Sequence, residues 1–305
     1  MKNKFLKLLA IMGALWSVTP KAAGAEANEN DIKTSANVAL FANTEQVDDE
    51  STFGELTLAP EATIEKGDYK LGYSGMFYNW GYTDHTYGDW MTLKSRLQLE
   101  NNDWELQLGR MMLRPDYASF LAVNLPTTLG NDIKSGGGAR ILTGTRLAHK
   151  ETGLGVGLVA NDTRMTPSHW DTGLLTYDKR FNDEWALAGH IGAGDKGFHN
   201  AGFTVAWTPS KKTTVVAEGL YAQKATYGVL GVQHSLTDDL ALFAATKVSK
   251  PNQGKLQGWL TAGANYNLGK GFSAVAAFKQ DIGGEHNPHG IIGIKYAGNF
   301  AINGQ

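Results

Sequence analysis

The 305-residue sequence contains no cysteine. Disulfide frameworks, thiolate metal sites and thiol nucleophiles are therefore excluded, and stability must come from packing and backbone hydrogen bonding. Proline is scarce at 8 residues, which leaves long stretches free to form uninterrupted ladders. Neither sign of charge dominates, since the formal net charge is -2, so there is no electrostatic footprint for nucleic acid. Long hydrophobic runs are missing except for residues 8–18, far short of the roughly 20 residues that span a bilayer as a helix. A negative mean hydropathy does not exclude a membrane β-protein, because barrel strands alternate apolar residues with polar ones.

What is present begins with Lys2, Lys4 and Lys7 ahead of that apolar run, followed by small residues ending in Ala23 and Ala25. Basic, apolar and small-residue regions in that order predict a secretory signal peptide over 1–25, with Glu26 opening a mature domain over 26–305. Glycine (37) and aromatic residues (12 Phe, 11 Tyr, 8 Trp) are plentiful, which suits many strands joined by tight turns. From Thr34 to Phe300 strand-like segments of about 10 to 14 residues follow one another with no helical stripe between them, the length that a tilted spanning strand requires. Sixteen such segments are predicted. The first strand is weak, and losing it with one other leaves fourteen as the alternative.

The connections alternate between short and long. Residues 66–68, 101–103, 151–152, 182–184, 209–212 and 268–271 are short, whereas 83–89, 114–138, 163–169, 250–255 and 282–289 are longer; only 224–226 is short where the alternation asks for a long loop. Short turns on one rim and long loops on the other are the signature of a transmembrane barrel. Tyr69, Trp104, Phe181, Trp185, Trp207, Tyr266, Phe272 and Phe300 all fall beside the short turns on the apolar parity of their strands. They predict an interfacial girdle of rings on the outer face. The opposite parity carries Glu61, Lys94, Arg96, Arg146, His190, Glu218, Lys247, Lys279 and Lys295, and a lumen so charged is expected to hold water.

Several places depart from the pattern. Pro60 predicts a bulge or a break in the second strand. Arg110 shares the outer parity of Leu106 and Leu108, so either a bulge at Gly109 turns it inward or this wall meets another subunit. Gly192-Ala-Gly-Asp-Lys-Gly197 matches a dinucleotide fingerprint but lacks a following helix, and reads as an outer loop. His286 and His289 lack an evident third ligand beyond Glu285, so no metal is expected. His234 and Ser235 are neighbours on opposite faces of a strand and form no triad. No cofactor and no enzymatic activity are expected. Tyr78, Trp80, Phe243 and Trp259 have lumen parity and could stack on sugars.

Residues 114–138 form the longest connection and carry Pro115, Tyr117, Phe120, Leu121, Val123, Leu125 and Leu129, too apolar for a solvated tail. They follow the fifth segment. With Leu106-Gln-Leu-Gly-Arg110 leading into that loop and an aromatic-ended last strand bearing Tyr296 and Phe300, the layout resembles the general porins of Gram-negative outer membranes. The resemblance implies an all-β, sixteen-stranded barrel in the outer membrane, with the loop folded into the lumen. It also implies small hydrophilic solutes as cargo, outer-membrane lipid around the wall, delivery by the barrel-assembly machinery, and a homotrimer. On this reading Asp116, Asp132 and Lys134 face the opening from the loop. Lys94, Arg96, Arg140 and Arg146 form a basic arc on the wall, with Glu55 and Glu61 as counter-charges. A loop with only two acids predicts weak anion preference or little selectivity.

Overall fold

In a computed structural model, the described residues are 32–46, 52–82, 91–112, 141–160, 172–194, 197–222, 225–251, 255–282 and 289–301. They form β1 (Lys33–Gln46), β2 (Thr52–Lys66), β3 (Tyr69–Tyr82), β4 (Met91–Glu100), β5 (Trp104–Met112), β6 (Ile141–His149), β7 (Leu154–Ala160) and β8 (Thr172–Arg180). The second half comprises β9 (Trp185–Gly194), β10 (Gly197–Ser210), β11 (Thr213–Ala222), β12 (Ala225–Ser235), β13 (Leu240–Pro251), β14 (Gln257–Gly269), β15 (Phe272–Asp281) and β16 (His289–Ala301). Each strand pairs antiparallel with its sequence neighbours and β1 pairs with β16, closing a sixteen-stranded barrel. Sixteen is the count, not fourteen, and the weak first segment is a full member with partners on both sides. No helix occurs among the described residues. The leader 1–25 and the loop 114–138 lie outside them, as does Arg140.

Period-two alternation gives the wall two unlike faces. Outside, Leu154, Val156 and Leu158 on β7 and Leu175 on β8 are exposed, as are Phe203, Leu230 and Ile292 further round. Six predicted girdle residues, Tyr69, Trp104, Phe181, Trp185, Trp207 and Tyr266, are likewise exposed beside the short turns. Trp185 and Trp207, directly paired, stack with centroids 5.6 Å apart. Phe272 departs from the girdle: it is 3% exposed and lies against Tyr296 at 4.7 Å, in a cluster with Leu40. The Phe300 side chain is outside the described set.

Short turns are tied by side chains that mimic backbone turns. Asn101 Oδ1 accepts from the Asp103 and Trp104 amides, and Asn182 Oδ1 from those of Glu184 and Trp185. Gly192 to Gly197 straddles the β9–β10 hairpin, with Gly194 opposite Gly197, which fits the loop reading of the fingerprint.

Three irregularities shape the wall. The β2–β3 ladder lacks rungs at Ala59 and Pro60, yet the register is unchanged on either side, so Pro60 makes a gap and not a bulge. Gly75 accommodates the ring, for a Cβ there would stand 3.2 Å from Pro60 Cγ. Across β3, the register with β4 shifts between Met76 and Phe77. The shift inverts the predicted parity beyond it: Thr92 lies opposite outward Phe77 and Met91 opposite Tyr78. The extra residue of a β-bulge exchanges the two faces, and alternation alone does not reveal it. At Gly109, φ is +116°, but β5 keeps register with both neighbours, so Arg110 stays in the outer row, opposite Ser95 and Thr143. It is nonetheless 8% exposed.

Candidate functional site

The lumen side of β2 through β8 is a band of mutually bonded polar groups. Register sets it: Glu61 lies opposite Ser74, Ser74 opposite Arg96, Gln98 opposite Gln107, and Gln107 opposite Arg146. The Ser74 hydroxyl donates to Glu61 Oε1 at 3.1 Å. Arg96 Nη1 donates to Gln107 Oε1 at 3.0 Å, and the Gln107 amide donates to Glu105 Oε1. Glu105 also receives Arg146 Nη1 at 3.4 Å, while Arg146 Nε donates to Thr176 Oγ1 at 2.8 Å. Nearer the rim Glu100 takes the Gln98 amide and pairs with Lys150 Nζ at 2.7 Å. Two guanidinium groups, on β4 and β6, are thus fixed by one amide and one carboxylate of β5 between them, an arrangement that holds charge in place and resists reorientation.

The predicted arc is brought together in part. Arg96 is half-buried and Arg146 buried, both in this band. Glu61 is exposed in the lumen and bonds to Ser74. Glu55 sits opposite Trp80 and Lys94 opposite Met76, in lumen-facing rows, with side chains outside the described set. Asp116, Asp132, Lys134 and Arg140 lie outside the described residues altogether. The partner of Arg146 is Glu105, which sequence reasoning passed over. The signal was available, because Glu105 and Gln107 alternate with outward Trp104, Leu106 and Leu108.

The opposite wall differs. Ala186, Ala206, Val216, Phe243, Ala245 and Val275 form a buried apolar cluster on lumen-facing rows of β9 to β15, with Val229 and Ala277 packed against it. On the polar-band side, Met111, Val159 and Leu174 make a second cluster, beside the strand ends that flank 113–140. Phe243 is 4% exposed, so it is not the stacking surface expected of it. The ionic groups here are covered too: His190, Glu218, Lys247 and Lys279 are all buried. A uniformly wet wall is therefore the wrong picture for this half. Lys247 Nζ stands 5.4 Å from the Tyr227 ring centroid and Lys279 Nζ 6.0 Å from that of Trp259. Aromatic faces partly compensate ammonium groups withdrawn from water. His234 is bonded to Thr213 Oγ1 at 2.8 Å on the exposed short-turn side.

No protein-family model and no curated protein sequence matches the chain. Solved structures do resemble it. A triple mutant of Rhodopseudomonas blastica porin superposes with a TM-score of 0.53 at 12% identity, covering 88% of this chain and 100% of that one. A further mutant of the same porin gives 0.52 at 13% identity with the same coverage. A structure described under asymmetric conductivity of engineered proteins gives 0.52 at 12%. At such identity the likeness establishes a porin-type fold.

Proposed function

We propose that this chain is an outer-membrane channel through which small hydrophilic solutes and ions diffuse passively. The observation that carries this reading is the contrast between the two faces of one closed wall. Exposed apolar side chains and a belt of rings face outward, and a row of polar and acidic or basic side chains from Glu61 to Arg146, bonded in two groups, faces the lumen. An outer face so apolar belongs in lipid, and an inner face so polar is wasted unless water and solutes meet it. Purified protein added to a planar phospholipid bilayer is expected to give ohmic conductance steps. A folded protein, verified by heat-modifiable migration, that gives no steps would sink the proposal.

Residues 114–138 are the element we assign to narrowing the lumen. Two features support this: their apolar residues need a surface, and Met111, Val159 and Leu174 supply lumen-facing apolar groups next to the loop's attachment. Export through a cleaved 1–25 leader and placement in the outer membrane of a Gram-negative bacterium follow from the same reading. A homotrimer belongs to the same reading: Arg110 lies in the outer row, and although its own chain covers most of it, an arginine there costs about 2 to 4 kcal/mol where it meets lipid, a cost that a neighbouring subunit would avoid. Crosslinking of detergent-solubilised protein should capture trimers, and Arg110→Glu should shift them toward monomer.

A further inference from the structure

Toward the long-loop rim, the register places Trp259 directly between Lys247 on β13 and Asp281 on β15, with Gln257 two residues along the same face of β14. Trp259 and Asp281 are half-buried and Gln257 is exposed, so all three meet the lumen. Beneath them, Lys247, Ser249, Thr261 and Lys279 are each below 8% exposed. The Lys279 ammonium stands against the Trp259 ring, and Lys247 against Tyr227, giving the indole a fixed backing where a free ring would turn. Ser249 lies opposite Tyr227 on one side and Gln257 on the other. Its hydroxyl is buried and has no hydrogen-bond partner among the described residues.

From this grouping we infer that Trp259, Asp281 and Gln257 form a subsite for a neutral carbohydrate on its way through the channel. A sugar ring has an apolar C–H face and a hydroxyl edge. The indole offers a flat apolar surface for the first, while a carboxylate and an amide beside it offer acceptors and a donor for the second. An anionic ligand is disfavoured by the carboxylate at the lumen side, and a cationic one by the Lys279 ammonium already standing against the indole. The site deepens the channel reading and rests on it.

The test is current block of the full-length protein in a planar bilayer by maltose and by sucrose. Wild-type channels are expected to show concentration-dependent block. Trp259→Ala should weaken it about tenfold, the scale of one aromatic contact, while Trp259→Phe stays within about threefold of wild type because a stacking face remains. Asp281→Asn should weaken block without abolishing ionic conductance, which keeps the test alive if Trp259→Ala fails to assemble. Open channels that neither sugar blocks, or block that is indifferent to Trp259→Ala and Asp281→Asn, would overturn the subsite and leave the channel standing. Absence of any ionic current would overturn the channel itself.

Discussion

At the scale of single residues, Arg146 is the group whose environment is most demanding. It is a buried cation held by Glu105 and Thr176. Removing the acid strands a charge, whereas removing the base withdraws it, so the two changes are not equivalent. Glu105→Ala is expected to destabilise the barrel by about 1 to 3 kcal/mol, reduced from the fully buried case because Glu105 is partly wetted. Arg146→Met should cost less. Midpoints of urea unfolding followed by gel migration would compare them, and equal losses would contradict the asymmetry. Arg96, half-buried and bonded to the neutral Gln107, projects more of its charge toward passing ions. Arg96→Glu should move the reversal potential in a salt gradient toward cation preference. Glu61, Arg96 and Arg146 could be read from alternation, since it states on which side of the sheet a residue falls. The burial of Phe243, Lys247 and Lys279 could not, because alternation is silent on what stands over that side.

Among the strands, regular alternation and turn chemistry made nearly every boundary readable, and the failures fall where a ladder is defective. The bulge at Leu93 of β4, opposite the step from Met76 to Phe77, inverts Met91 and Thr92, and no residue type in β4 announces it. Pro60 did announce its gap, through its missing amide. Gly109 marks a third kind of defect. At φ +116° a side chain is strained, and a Cβ would sit 2.5 Å from the Ser95 carbonyl oxygen. Gly109→Ala should therefore push β4 and β5 apart and lower stability by more than about 1 kcal/mol. Gly67→Ala serves as a comparison, since its φ is +56° but nothing lies within 4 Å of the added carbon. A smaller loss at 109 than at 67 would show that crowding against Ser95 is not the controlling term.

For the molecule as a whole, the two rims are chemically distinct, and that distinction sets an orientation. Barrels of this architecture keep short turns toward the periplasm and longer loops toward the exterior. The natural absence of cysteine makes this straightforward to measure. A cysteine placed in 161–171 should react with a membrane-impermeant maleimide on intact cells, and one at Asn182 should react only after the outer membrane is breached. The reverse pattern would invert the barrel. The sixteen-strand closure was legible in outline from counting segments and turns. The conformation of 114–138 was not, because its apolar residues require a surface and do not say which one.

The pairing of β1 with β16 runs through eleven rungs, from Ser35 opposite Ala301 to Glu45 opposite Ile291. Partners in such a ladder have Cα atoms only about 5 Å apart, so the two terminal strands leave the wall side by side at the short-turn rim. A peptide linker of a few residues could join them without disturbing a rung. A circular permutant, joined there and opened within 161–171, should reclose to a channel of unchanged unit conductance. Its closing contacts would then lie elsewhere in the chain, and its rate of assembly should change because the longest-range pairing has been made local. Where translation starts would be a question of timing, with the finished wall indifferent to it.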